Sequence, residues 1–212
     1  YGDKSMSELN LTHSNGNKVK LTTPDTLAAS ETFKLPGADG SSGQFLKTDG
    51  SGALSFATAA AGITMMDQWR ITNDNNKGDD QVIDSNWERS DTFFAQIGTG
   101  MSESSGIFTF PQTGIYLILA QAAQSASNHS YAGFKVQVST NSGGSYSNFT
   151  YAYSNHLGGS CYANTHVHGI LDVTDASTFR LRMYTVTAGN TQYSGDGDAF
   201  RTGMTFIRLG DT

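Results

Sequence analysis

His166 and His168 stand two residues apart in His166–Val173, a stretch whose alternation reads as a β-strand. Both rings then project from one face, and paired imidazoles at that spacing suit zinc or nickel; threefold symmetry would gather three such pairs near an axis. The same two residues also read as plain polar strand positions. Oxygen-rich turns offer a different metal chemistry. Asp196-Gly-Asp198 and Asp74-Asn-Asn-Lys-Gly-Asp-Asp80 invite calcium, although the second places Gly78 a residue early for a helix-loop-helix calcium loop and lacks the closing Glu. Turns of Asp, Asn and Gly are common without metal, so calcium stays a candidate and no cofactor is required.

Aromatic side chains offer recognition rather than catalysis. Tyr146, Phe149, Tyr151, Tyr153, His156 and Tyr162 fall among Ser, Asn and Gly in a run from one loop through a short strand to another. Rings of this kind stack on sugars or dock a protein, with neighbouring amides and hydroxyls fixing orientation. Tyr146, Tyr151, Tyr153, His156 and Tyr162 are therefore the candidate receptor-binding residues. The competing reading is that alternate aromatics line the core or a subunit interface. Trp69 and Trp87 read as packing residues. Ser, His and Asp occur without a nucleophile elbow and Cys161 has no partner motif, so the chain does not read as an enzyme; a glycan hydrolase built on loop carboxylates is the enzymatic alternative. Asn10, Asn128 and Asn148 begin Asn-x-Ser/Thr sequons, which matter only on a eukaryotic secretory route.

Composition narrows the class. The chain has 212 residues, 24 of them Gly and 3 Pro, with 15% charged and a formal charge of -6. Abundant Gly, Ser, Thr and Asn with few helix formers favour short strands and tight turns. No basic run exists to neutralise phosphates, so nucleic acid is not an expected partner. The single cysteine excludes an intrachain disulfide. No apolar run approaches the ~20 residues of a membrane-spanning helix, so no membrane insertion is expected. The sequence opens at Tyr1 without a leader and reads as part of something longer.

The elements that must position these residues are strands. Gly114–Ala123 is apolar on both faces, with Ile115, Leu117 and Leu119 on one and Tyr116, Ile118 and Ala120 on the other. One face fills a core and the other needs a cover, for which a second copy is the simplest source. Tyr116, Ile118 and Ala120 are assigned to that homotrimer interface. Further strands read as Asp67–Thr72, Gln81–Ile83, Thr92–Ile97, Ile107–Phe110, Tyr131–Ser139, Phe149–Tyr153, Thr178–Val186 and Thr202–Leu209. Ser139–Ser145 reads as a hairpin or wide loop between two of them. Ahead of these, residues 1–16 are a polar upstream segment without period. Residues 17–57 carry strands of four or five residues (Val19–Thr22, Glu31–Leu35, Gln44–Lys47, Ala53–Phe56) with Gly-rich corners, too short to bury a core alone. Residues 58–66 are a linker or helical neck, and 67–212 form the head.

Two resemblances follow from particular residues. Pro24-Asp25, Leu35-Pro36, Asp39-Gly40, Gly43-Gln44, Thr48-Asp49-Gly50 and Phe56 resemble the repeat near the ends of bacteriophage tail fibres. Thr92–Ala95, the corner Phe108-Thr-Phe110-Pro111-Gln-Thr-Gly114-Ile-Tyr116, Phe179-Arg180-Leu181 and Phe200–Leu209 are similar to the globular heads of complement-type and tumour-necrosis-factor-like proteins. That second likeness implies an antiparallel ten-stranded jelly-roll sandwich that assembles as a trimer and holds ligands on surface loops. Together they imply an all-β chain: an intertwined β shaft carrying a trimeric jelly roll. The implied function is a virion tail-fibre tip attaching to a host-cell surface glycan or protein. The alternatives are a secreted trimeric binding protein of the same head type, and a trimerisation cap without receptor contact.

Overall fold

The structure, a computed structural model, describes residues 8–22, 32–58, 62–94, 96–127, 130–156 and 160–212. Pro24-Asp25, Glu31, residues 59–61 of the expected neck and the sequon at Asn128 lie outside them. The chain divides into two compact units, Tyr1–Ala60 and Ala61–Thr212.

In the first unit, β1 (Glu8–Thr12) and β2 (Lys18–Thr22) form an antiparallel hairpin, with Leu11 opposite Val19. Residues 8–12 thus belong to a strand and not to a periodless tail. The signal for it is Asn15-Gly16 between two alternating runs, with Gly16 at φ +85° as such a turn requires. A second hairpin joins β3 (Gln44–Thr48) to β4 (Leu54–Thr58). Its turn is closed by Asp49, whose carboxylate accepts the Ser51 and Ala53 amides at 2.8 and 3.0 Å, and these bonds hold its pKa below the usual carboxylate value. Among the described residues of the expected strand Glu31–Leu35, only Lys34 pairs, in a parallel bridge to Ala53. Phe33, Leu35, Phe45, Leu46 and Phe56 remain exposed, because two-stranded ribbons have no second layer to cover them.

The second unit is two antiparallel sheets packed face to face. Its strands are β5 (Met65–Ile71), β6 (Asn75–Lys77), β7 (Trp87–Arg89), β8 (Ser102–Ser104), β9 (Ile107–Thr109), β10 (Gly114–Ser127), β11 (Tyr131–Ser139), β12 (Ser147–Asn155), β13 (Ser160–Val173), β14 (Arg180–Thr187), β15 (Thr191–Tyr193) and β16 (Gly203–Gly210). In the seven-stranded sheet, β10 pairs along its length with β13. On its other side it pairs first with β16, which continues to β5 and β7, and then with β15, which continues to β6. The five-stranded sheet runs β12-β11-β14-β9-β8. The likeness implies ten strands. The described residues hold twelve in this unit, because three-residue strands such as β6 and β15 carry no period to betray them. Gln81–Ile83 and the described residues of Thr92–Ile97 do not form strands: Val82 and Ile97 each make one bridge, to Tyr184 and Met66, and Phe93 is 94% exposed. Met65 and Met66 open β5 rather than closing a neck, and no helix occurs among the described residues.

Phe108 sits at the centre of the core, its ring edge-on to Trp69 and Trp87 at 5.7 and 5.0 Å and tilted against Phe206 at 5.4 Å. Tyr116, Ile118 and Ala120 point into this same core. Their assignment to the trimer interface is therefore corrected. The Phe110-Pro111 corner packs Phe110 edge-on to Tyr116 at 4.9 Å, and the Tyr116 hydroxyl donates to the Gln112 carbonyl, so this face of β10 is fully used by its own chain. The unpartnered face is the opposite one. Leu117 lies between Ile170 of β13 and Ile207 of β16, and Ile207 is opposite Met66, which bridges Ile97. These five residues form one apolar row across the outer surface of the larger sheet, with Ile170 at 64% exposure.

Candidate recognition face

The smaller sheet turns Ala132, Phe134, Val136, Leu181 and Met183 to the core, so period two forces their neighbours outward. Register then sets the outward residues in rows. Gly133 lies opposite Tyr153 and Val186, Lys135 opposite Tyr151 and Tyr184, and Gln137 opposite Asn148 and Arg182. Asn148 reaches this face through a bulge: Val136 pairs Thr150 but Gln137 pairs Asn148, leaving Phe149 as the extra residue. The Phe149 ring turns inward over Gly169, where a Cβ would lie 2.5 Å from it.

A polar ladder crosses three strands at the last of these rows. Gln137 donates to the Asn148 side-chain oxygen at 2.9 Å and accepts from Arg182 Nε at 2.8 Å. The Arg182 guanidinium lies over Tyr146 at 3.8 Å and over Tyr184 at 4.5 Å, held by rings on two sides. Lys135 lies 5.0 Å from the Tyr184 ring and is ion-paired to Asp80 at 2.7 Å. Tyr131 and Tyr153 meet at 5.6 Å. Tyr146 is delivered by a stiff turn in which the Asn141 side-chain oxygen accepts the Ser139 hydroxyl and the Ser145 amide, with Ser142 and Gly143 at φ +60° and +92°.

Of the receptor-binding residues read from sequence, the structure brings Tyr146, Tyr151 and Tyr153 onto this face; Tyr151 and Tyr153 are each 60% exposed. Tyr131, Tyr184, Lys135, Gln137 and Arg182 join them and were not among those candidates. Cross-strand register is what unites them, and no local pattern carries it. His156 is corrected: it is buried, with its Nε2 3.3 Å from the Ser154 hydroxyl and its amide donating to Ser130. Tyr162 is exposed but belongs to the other sheet, opposite Ser125, beside a cleft of about 480 Å³ lined by Gln121, Asn164, His166, Phe200 and Arg201.

The metal candidates do not converge. His166 and His168 share the outer face of β13, opposite Gln121 and Leu119. Asp196 closes its own turn, accepting the Asp198 and Ala199 amides at 2.9 Å, and these bonds lower its pKa. The Gly197 carbonyl in that turn accepts from buried Arg70, which also pairs with Glu88 and Asp91, so a guanidinium already fills the cation's place. In the other turn, Asp74 accepts from Gln192 and Gly195, Asp79 from the Thr187 amide and Asp80 from Lys135, each carboxylate clipping a different strand. Among the described residues no three His, Cys, Asp or Glu side chains gather as a metal shell needs.

No protein-family model and no curated protein matches the sequence. Solved structures do match. The Eiger TNF of S. frugiperda superposes with a TM-score of 0.58 at 12% identity, covering 70% of this chain and 95% of that one. Murine APRIL at pH 8.5 gives 0.51 at 14% identity, covering 68% of this chain and 98% of that one. Murine APRIL at pH 5.0 gives 0.51 at 15%, covering 68% and 99%. The head is a TNF-like jelly roll. At these identities the likeness carries the fold alone, so what the tyrosine face of this jelly roll binds rests on its own residues.

Proposed function

We propose that this chain is a trimeric extracellular binding protein whose jelly-roll head recognises a cell-surface saccharide or protein through the outer face of its smaller sheet, without catalysis. The observation that carries the reading is the gathering of Tyr131, Tyr146, Tyr151, Tyr153 and Tyr184 on one outward face, where none is spent on the core. Exposed, rigid aromatic rings contribute contact area at small entropic cost, which is the chemistry of hot spots. Trimerisation, implied by the family resemblance, is supported by the unpartnered apolar row through Leu117 and Ile170. Three copies would turn weak single-site contacts into lasting attachment.

A fibre-tip adhesin is the narrower reading, favoured by one observation. The first unit exposes Phe33, Leu35, Phe45, Leu46 and Phe56 on ribbons that cannot cover them, as strands awaiting other chains of a shaft would. The test is binding of the full chain to candidate cells, beside the double variant Tyr151→Ala, Tyr153→Ala. Loss of binding with the assembly intact supports the reading. Equal binding by both would move the site off this face, and no binding by either would leave the head as a cap.

A further inference from the structure

Resting on that reading, we propose that the tyrosine face is a subsite for an acidic saccharide, with the sugar's carboxylate received by Arg182. The guanidinium has rings at 3.8 and 4.5 Å, so stacking already occupies it. Its Nε is committed to Gln137, and Gln137 is itself anchored to Asn148. What remains is the edge formed by the two Nη groups. A planar pair of N–H donors at a fixed orientation matches the two oxygens of a carboxylate. The chain itself supplies no such partner: among the described residues no carboxylate pairs with Arg182, whereas Arg70, Arg89, Arg201 and Arg208 each have one. A cation held in place at an in-register position and left without its anion is the arrangement expected of a binding group.

The surroundings select the rest of the ligand. Lys135 is neutralised by Asp80 at 2.7 Å, so the row next to Arg182 is aromatic in character rather than basic. Arg180 lies two residues along β14 on the same face, one hydrogen bond of its guanidinium going to the Phe179 carbonyl. Two guanidinium groups on a chain of net charge -6 make a local acid receptor, not the broad basic field that a nucleic acid or highly sulfated polymer requires. Successive outward rows are ~6.8 Å apart along a strand, within reach of one sugar unit and its substituents. A sugar whose carboxylate meets Arg182 therefore lays its ring, or the next one, over Tyr151, which is 60% exposed. Stacking by aromatic rings and a bidentate arginine together describe a uronic or sialic acid unit better than a neutral hexose.

The experiment uses the full chain, with amide shifts followed by NMR during millimolar titration. The probes are sialyllactose and tri-galacturonate, with lactose and maltotriose as neutral counterparts and 6-sulfolactose as a sulfate ester. The expected result is binding of at least one carboxylated sugar, with shifts centred on Gln137, Arg182 and Tyr184 and affinity at least tenfold above its neutral counterpart. Arg182→Gln should abolish that preference, and Arg182→Lys should not restore it, because an ammonium lacks the paired edge. Circular dichroism confirms that both variants fold. Equal binding of neutral and acidic sugars, binding confined to 6-sulfolactose, unchanged affinity in Arg182→Gln, or no shift with any probe would each overturn the inference. If cell binding still depends on Tyr151 and Tyr153 in those cases, the recognition face stands and only its ligand class falls.

Discussion

Asp67 is fully buried on β5, yet its carboxylate accepts from Trp69 Nε1 at 2.9 Å, from the Met101 amide at 2.7 Å and from Arg89 at 2.9 and 3.3 Å. A buried charge met from every side is stable, and the same charge group becomes costly when one partner is removed. Asp67→Ala strands the donors of Trp69, Met101 and Arg89, so the head should lose about 3 kcal/mol in a denaturant titration; a loss under about 0.5 kcal/mol, the scale of a surface change, would contradict this. Acid tests other carboxylates. Asp84 is held below its ordinary pKa by its bond to Lys77, Asp175 by the Ser177 hydroxyl and amide, and Asp196 by two amides. Groups with depressed folded values contribute stability that is present above the unfolded pKa of about 3.9 and lost as pH falls through the folded values. The melting temperature of the head should therefore drop below about pH 4, and Asp175→Asn should flatten part of that drop. Residue chemistry was only partly legible: their setting among Ser, Asn and Gly pointed to Tyr151 and Tyr153, but Asp67 reads as one polar strand position because Arg89 and Met101 lie 22 and 34 residues away in sequence.

Elements of eight or more residues were legible and the three-residue ones, apart from β9 beside its Phe-Pro corner, were not, for a physical reason. Tyr131–Ser139 alternates because one face is buried along its whole length, and its observed limits coincide with those read from sequence. β15 has Thr191 and Tyr193 inward and only Gln192 between them, too few positions to establish a period. Strands of this length are fixed by what they pair with, here β10 on one side and β6 on the other. Close packing between elements was equally hidden, and two glycines measure it. A Cβ at Gly133 would fall 2.1 Å from the Ala152 carbonyl oxygen and 2.5 Å from Tyr153 Cα, both backbone atoms of the neighbouring strand. At Gly169 the nearest atoms are at the far end of the Phe149 ring. A ring tip can swing and a paired backbone cannot, so Gly133→Ala should destabilise the head by more than Gly169→Ala, with the first costing about 1–3 kcal/mol as overpacking does. The reverse order in thermal melts would show that β11 and β12 separate more easily than the Phe149 bulge relaxes.

At the scale of the whole molecule, a strand apolar on both faces signals two interfaces without saying which side belongs to the chain itself. The Phe110-Pro111 corner resolves this in the fold by carrying the chain from β9 of the smaller sheet across Tyr116, which leaves the Leu117 side of β10 outward. If that side meets a second and third copy, charge placed on it and charge placed behind it must have different consequences. Ile118→Asp puts an unpaired carboxylate in the chain's own core, at a cost of several kcal/mol against a typical total stability of about 5–15 kcal/mol, so it should abolish the folded head. Ile170→Asp puts the same group on an outer position that is already 64% exposed, and the single chain tolerates it. In the trimer that carboxylate would be desolvated in three copies around one axis, so the variant should sediment and scatter light as a monomer while its circular dichroism stays that of the parent chain. A parent chain that is itself monomeric at low concentration would end the trimer proposal. An Ile170→Asp variant that remains trimeric would keep the trimer but move its interface away from the row through Leu117, Ile207 and Met66.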